Sequence, residues 1–293
     1  MTAVAVEAGT VDVAGVATAV IDTGPADTGP ADTGLADTGL ADTGAPPLLL
    51  LHGSGPGVTA LANWRPVIPA LSGDRRVIAP DQLGFGGTAT GEPRTYGREA
   101  WTAHAVALLD AVGADQPVDI IGNSMGGAVA LSLAVARPDL VRRIVLMGSM
   151  GVAMALPSGL NTVWGYTPGV AQMREVIGLF AYNRRLITDE LVEMRYQASL
   201  SPAVRDSWEA MFPEPRQRWV DDLALSGAEL ASVSAPVLLV HGRDDRVVPW
   251  RPSSGQLVDL LPDSRLHLLS GCGHWTMIEK TAEFLAVVQS FLS

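Results

Sequence analysis

The 293-residue chain has one cysteine, one lysine and no basic residue before Arg65. A single cysteine, Cys272, excludes an internal disulfide framework and any metal site built from several thiolates. Without an early positive cluster there is no sign of a secretory leader, and no apolar run approaches the ~18 residues of a membrane span. A soluble, cytoplasmic protein is therefore expected, with no membrane partner. The formal charge of −11 argues against a nucleic-acid surface, which needs clustered Lys and Arg. That charge is unevenly placed. Residues 1–45 hold seven acids and no base, whereas the remaining 248 residues carry 24 acids against 20 bases.

Five of the seven early acids, Asp22, Asp27, Asp32, Asp37 and Asp42, belong to a five-residue repeat, DTGPA-DTGPA-DTGLA-DTGLA-DTGAP. Gly, Asp and Pro at this period cannot build a buried stripe, so residues 22–46 are expected to form a flexible surface loop. Asp-Thr-Gly also occurs in aspartic proteases, but tandem copies do not supply two facing aspartates that share a proton. Nor does a period of five suit a calcium-binding repeat. Before the repeat, residues 1–21 alternate weakly between valines and small or polar residues, which predicts a β-hairpin.

From residue 47 short runs rich in Val, Ile and Leu alternate with helical stretches. Strands are predicted at Leu48–Leu51, Arg76–Ala79, Val118–Ile121, Ile144–Met147, Val237–Val240 and Leu266–Leu269. Continuous apolar strands are buried on both faces, as in a parallel sheet flanked by helices. Helices are predicted near 62–71, 98–113, 125–136, 254–261 and 280–292. The alternation indicates an α/β fold. Residues 150–230 break the rhythm with helix-like patterns only, near 169–181, 187–199, 202–211 and 215–224. They read as a helical lid inserted after the sixth strand, between core segments 47–149 and 231–293. Ligands of such folds bind at the carboxyl edge of the sheet.

The segment Gly122-Asn123-Ser124-Met125-Gly126 joins a predicted strand to a predicted helix. Gly-x-Ser-x-Gly in that context is a nucleophile elbow, which presents the serine hydroxyl at the crest of a strained turn. The helix beneath offers free N–H groups to a developing oxyanion. Serine needs a base, and the base needs an orienting acid. His274, just past the last strand, is the best-placed base. His52 and His241 lie at strand ends, His104 within a helix and His267 within a strand, where structural roles are usual. The acid is sought in His241-Gly242-Arg243-Asp244-Asp245-Arg246-Val247-Val248-Pro249. Asp245 is favoured because the second aspartate of such loops is the usual triad member, leaving Asp244 in solvent beside Arg246. The order Ser124, Asp245, His274 is that of the α/β-hydrolase fold, with a mostly parallel central sheet. Backbone N–H groups of Met125 and of Ser54 or Gly53, in the glycine-rich loop after the first central strand, are the expected oxyanion donors.

Beyond these core motifs the sequence resembles a narrower family, the meta-cleavage-product hydrolases, serine enzymes that hydrolyse a carbon–carbon bond. The matching segments are HGSGPGVTALANWR (52–65), APDQLGFGGT (79–88), GNSMGG (122–127), GLNTVWGYTP (159–168), LITDELVEMRYQAS (186–199), MFPEPRQRW (211–219), HGRDDRVVP (241–249) and GCGHWTMIE (271–279). They cover nearly the whole chain from residue 47, the lid included. The resemblance implies a 2-hydroxy-6-oxohexa-2,4-dienoate substrate. Asn63, Asn123, Arg195 and Trp275 match positions that hold its carboxylate and 2-oxo end. Chemistry agrees: an arginine clamps a carboxylate bidentately, amides donate without adding charge, and an indole offers an N–H and a flat wall. For Arg195 the plainer alternative is a surface ion pair with Glu190 or Glu193. The resemblance implies no metal and no cofactor, and it is compatible with a homo-oligomer. Two departures stand out. Leu61 replaces a frequent aromatic, and the Asp-Thr-Gly repeat replaces a short turn. The same triad would also serve a carboxylesterase, and the fold can carry a non-catalytic binding protein.

Overall fold

Eight strands form one sheet in the computed structural model, which describes residues 8–25, 44–89 and 94–293. They are β1 (Gly9–Val13), β2 (Val16–Thr23), β3 (Leu48–Leu51), β4 (Val77–Pro80), β5 (Val118–Asn123), β6 (Val141–Met147), β7 (Val237–Gly242) and β8 (Ser264–Leu269). Their order is β1-β2-β4-β3-β5-β6-β7-β8. The first two form an antiparallel hairpin, turning at Ala14 and Gly15 with φ of 50° and 81°. β2 also runs antiparallel to β4, and all later pairings are parallel. Every residue of β3, β4, β5 and β7 is buried, which accounts for their mostly apolar sequences; the charged exception within β5, Asp119, is paired with Arg75 and Arg142.

The hairpin extends further than the alternation suggests. β2 runs to Thr23 and so takes in the first Asp-Thr of the repeat. Asp22 accepts two hydrogen bonds from the Arg76 guanidinium, at 2.8 and 2.6 Å, at the start of β4. This bidentate pair holds the residue in the sheet rather than in a loop. The remainder of the expected repeat loop, residues 26–43, lies outside the described residues.

The helices are α1 (Ala60–Trp64), α2 (Ile68–Leu71), α3 (Arg98–Ala111), α4 (Met125–Ala136), α5 (Ser158–Trp164), α6 (Val170–Phe180), α7 (Asp189–Ala198), α8 (Pro202–Met211), α9 (Gln217–Leu223), α10 (Gly227–Ala231), α11 (Ser254–Leu260), α12 (Thr276–Glu279) and α13 (Thr281–Leu292). α4 is apolar around its whole circumference, and Met125 to Ala134 are all buried. Such a helix belongs inside, here beneath the elbow serine. Helices α5 to α10 occupy the interval between β6 and β7. α7 and α8 start at Thr188 and Ser201, whose side chains accept from Leu191 N and Val204 N. No described helix is long and apolar enough to cross a membrane.

The parallel strands deliver their carboxyl ends to one edge. There β3 leads into residues 52–57, β5 into Ser124, β6 into Gly148, β7 into the Asp244–Asp245 turn and β8 into the His274 loop. Lid residues from α5, α6 and α7 close over that edge and share a cavity with it.

Candidate active site

Ser124 sits between β5 and α4 with φ 55° and ψ −117°, a strained conformation for a residue with a side chain. Three backbone bonds hold it there. Ser124 N donates to Met147 O at 2.9 Å, while Gly127 N and Met150 N donate to Ser124 O, each at 3.0 Å. Both flanking glycines are sterically required. A Cβ on Gly122 would lie 2.5 Å from Gly126 O, and one on Gly126 would run into the Leu51 carbonyl. Met125 opens α4, where the N–H groups have no intrahelical partner. Gly53, Ser54 and Gly55 line the same cavity as Ser124, and the Gly53 backbone passes so close that a Cβ there would stand 3.0 Å from Ser124 Cβ.

The turn after β7 supplies the acid. Asp245 is buried, and its Oδ1 accepts from Val247 N at 2.8 Å and Val248 N at 2.9 Å. Its Oδ2 lies 2.6 Å from His274 Nδ1 and 3.2 Å from His241 Nε2. Both atoms facing His241 Nε2, Asp245 Oδ2 and Val248 O, are acceptors, so that nitrogen carries the hydrogen. Burial alone would raise the Asp245 carboxyl. The charges and hydrogen bonds of His274 and His241 outweigh burial and hold it below the usual carboxylate range. His274 itself is anchored by its N–H, which donates to Phe180 O at 2.8 Å. Ser124 and His274 face the same cavity without a direct hydrogen bond, a looseness common in unliganded sites.

Asp244 does not pair with Arg246. It accepts from Gly271 N at 2.9 Å, while Arg246 reaches the lid and donates to Gly178 O and Ala181 O. His52 has a backbone role: Nε2 accepts from Gln82 N at 2.9 Å, so Nδ1 donates to Gly53 O at 2.8 Å. Burial lowers the His52 pKa and keeps the ring neutral.

The structure brings Asn63, Asn123, Arg195 and Trp275 together in the cavity that holds Ser124 and His274. Arg195, on α7, is only 6% exposed. Neither Glu190 nor Glu193 pairs with it; Glu193 accepts from Gln197 instead, at 2.8 Å. Among the described residues its guanidinium has no ion pair, and Nε has no hydrogen-bond partner. Burial lowers its pKa to about 10, which still leaves it cationic at neutral pH. The Asn63 amide nitrogen is likewise buried without a partner. Asn123 is partly committed, since its Nδ2 donates to Met147 O at 3.1 Å and ties the elbow to β6.

A profile of the alpha/beta hydrolase fold matches residues 46–281. A 2-hydroxymuconate semialdehyde hydrolase of Pseudomonas sp. strain CF600 is 49% identical over 247 residues, covering 84% of this chain and 87% of that protein. A 2-hydroxy-6-oxo-2,4-heptadienoate hydrolase of Pseudomonas putida strain F1 is 50% identical, covering 84% and 89%. The chain belongs to the meta-cleavage-product hydrolases. A solved meta-cleavage product hydrolase of Pseudomonas fluorescens IP01 superposes with a TM-score of 0.87 at 42% identity, covering 97% of this chain and 96% of the other.

Several further residues of this meta-cleavage-product hydrolase shape the site. Gly148, with φ 51°, passes so near the acid–base pair that a Cβ would lie 2.9 Å from His274 Nδ1 and 3.2 Å from Asp245 Oδ2. Trp164 donates from Nε1 to Ser54 Oγ at 2.9 Å and stacks on Phe212 at 4.5 Å. Phe180 stacks on Trp275 at 5.1 Å and tilts against His274 at 5.5 Å. Glu279 accepts from Gly273 N at 2.8 Å and Asn183 N at 2.7 Å, bridging the histidine loop and the lid. Glu279 ends one of the segments that carry the family resemblance, a signal that could have been followed. Phe180 and Gly148 show no such pattern.

Proposed function

We propose that the chain hydrolyses the C5–C6 bond of 2-hydroxy-6-oxohexa-2,4-dienoates, 2-hydroxymuconate semialdehyde or its 6-alkyl analogues, in aromatic catabolism in the cytoplasm. The reading is carried by Arg195, a buried cation with no carboxylate partner among the described residues, in one cavity with Ser124 and the His274–Asp245 pair. A charge in that position is stabilised only when a partner arrives, and the dienoate brings a carboxylate. The names of the relatives agree, being hydrolases of such dienoates.

Arg195 and Asn63 hold the carboxylate, with the free N–H of Asn123 and the Trp275 wall beside the 2-oxo end. Ketonisation of the bound dienol places a proton on C5, so that the carbanion later formed there is delocalised as a dienolate. His274, oriented by Asp245, takes the Ser124 proton as the hydroxyl attacks the C6 carbonyl. The N–H groups of Met125 and of Ser54 or Gly53 stabilise the oxyanion. The C5–C6 bond breaks, its electron pair is delocalised from C5 to the C2 oxygen, that oxygen takes the proton from His274, and 2-hydroxypenta-2,4-dienoate departs. Water, activated by His274, then releases formate or a longer acid from Ser124.

The test is the bleaching of the coloured dienoate. Wild-type enzyme should remove it, and Ser124→Ala should be slower by at least ~10³-fold in kcat. A Ser124→Ala protein bleaching at the wild-type rate would refute the assignment.

A further inference from the structure

We propose that the seam between core helix α1 and lid helix α7 is the port through which the dienoate anion reaches the cavity, with Arg65 as its first cationic contact. The inference rests on the proposed substrate class. The cavity around Ser124 has a free volume of about 10 Å³, roughly what one water needs and far less than a dienoate. Entry therefore requires an opening somewhere in its wall. Immediately outside lies a groove of about 320 Å³ that shares two wall residues with the cavity, Arg195 and Trp275.

The groove runs along the seam between two bodies of the fold. Leu61 and Arg65 face it from α1 and the residue that ends it; Leu191, Met194 and Ala198 face it from α7. The α7 residues are spaced three and four apart with Arg195 among them, so one helical face lines the groove and carries the guanidinium. A small shift of α7 away from α1 would join groove and cavity. Leu61 is 37% and Met194 54% exposed, an apolar strip with no covering partner among the described residues.

The chemistry of the groove selects its occupant. Its walls are mostly apolar, and its two charged lining residues are both arginines. Arg65 is exposed and forms no ion pair among the described residues. A planar conjugated chain ending in a carboxylate meets both demands. The apolar walls take the diene, and the anion passes from Arg65 at the rim to Arg195 at the inner wall. On a molecule of charge −11, such a local cation offsets the repulsion that an approaching anion meets.

Two measurements decide. Arg65→Glu should lower kcat/KM for the dienoate about fivefold or more at low ionic strength, with kcat little changed, and the difference should vanish near ~0.5 M salt. An Arg65→Glu enzyme with wild-type kcat/KM at low salt overturns the role of Arg65. The port itself is tested in Leu61→Cys carrying a bulky methanethiosulfonate label. Cys272 is buried with its thiol pushed up to about 12, so the wild-type protein serves as an unlabelled control. Labelling should cut kcat/KM by about tenfold or more, and reductive release should restore it. A fully labelled Leu61→Cys enzyme with unchanged kcat/KM overturns the port. Failure of the hydrolytic reading shows separately, because the unmodified wild-type enzyme would then leave the dienoate intact.

Discussion

Arg195 concentrates the chemistry of substrate choice in one side chain. A buried charge missing its partner costs several kcal/mol, and a bound carboxylate relieves that cost. Arg195→Ala should therefore lower kcat/KM on the dienoate by about 10²–10³-fold, the equivalent of ~3–4 kcal/mol. Turnover of a small neutral ester should hardly change, as parallel assays of both substrates would show. Arg195→Lys should recover little, since a point charge cannot reproduce a planar fork. Gly148→Ala tests the other end of the site. The added methyl meets the His274 ring and imposes a left-handed φ of 51° on a residue with a Cβ. The expected result is a lower kcat with KM little altered, together with ~1 kcal/mol or more of lost stability in urea unfolding. A third residue governs acid stability. His104, bonded to Thr18 Oγ at 3.0 Å, has its pKa lowered by burial to about 4. Below pH ~6.5 the unfolded chain takes up a proton that the folded ring refuses. Stability should fall between about pH 6.5 and 4, by up to ~3 kcal/mol, and His104→Gln should flatten that slope in unfolding titrations. At this scale legibility was uneven. Ser124 announces itself because both of its glycines are local to the turn. Gly148 is silent because the atoms it must avoid, on His274 and Asp245, come from distant parts of the chain.

The lid is joined to the acid–base loops by polar stitches rather than by packing alone. Glu279 binds Gly273 N and Asn183 N, Arg246 binds the carbonyls of Gly178 and Ala181, and His274 N binds Phe180 O. These contacts fix the end of α6 and the residues after it against the His274 loop and the turn that carries Asp245. Removing the carboxylate leaves two N–H groups to find other partners, at about 1–3 kcal/mol each where water cannot reach. Glu279→Ala should lower kcat on dienoate and ester alike by about tenfold, and Glu279→Gln should restore part of it, because the amide oxygen still accepts. Equal rates in wild type and Glu279→Ala would show that the stitch does not position His274. The longer lid helices were readable from sequence. α7 and α8 begin at Thr188 and Ser201, good capping residues, and carry enough turns for periodicity to show. α10, with five residues, has too short a pattern to distinguish from a loop; among the seven-residue lid helices, α9 falls within the predicted 215–224 stretch and α5 does not.

At the scale of the whole molecule, the centre of the parallel sheet is visible in the sequence because β3, β4, β5 and β7 are buried throughout and read as mostly apolar runs, whereas the edge strand β8 is only partly buried. Their spatial order is less visible. β4 lies between β2 and β3, a placement set by the antiparallel return of the hairpin and not by any residue of β4. The acid surplus of residues 1–45 is remote from the chemistry in sequence, and anion binding in the cavity rests on Arg195 at short range. Deleting Asp27–Leu40 should therefore leave kcat/KM for the dienoate within about twofold at physiological salt, where charges beyond ~8 Å are screened. A large loss would assign the segment to the working enzyme. The clamp between Asp22 and Arg76 has a genetic corollary. Asp22 belongs to the first of five tandem copies, and each copy opens with the same Asp-Thr-Gly. Replication slippage that drops or adds whole copies always leaves an Asp-Thr-Gly directly after Ile21. As long as one copy remains, the end of β2 presents the same aspartate to Arg76, so lineages can differ in repeat count while the sheet they inherit stays the same.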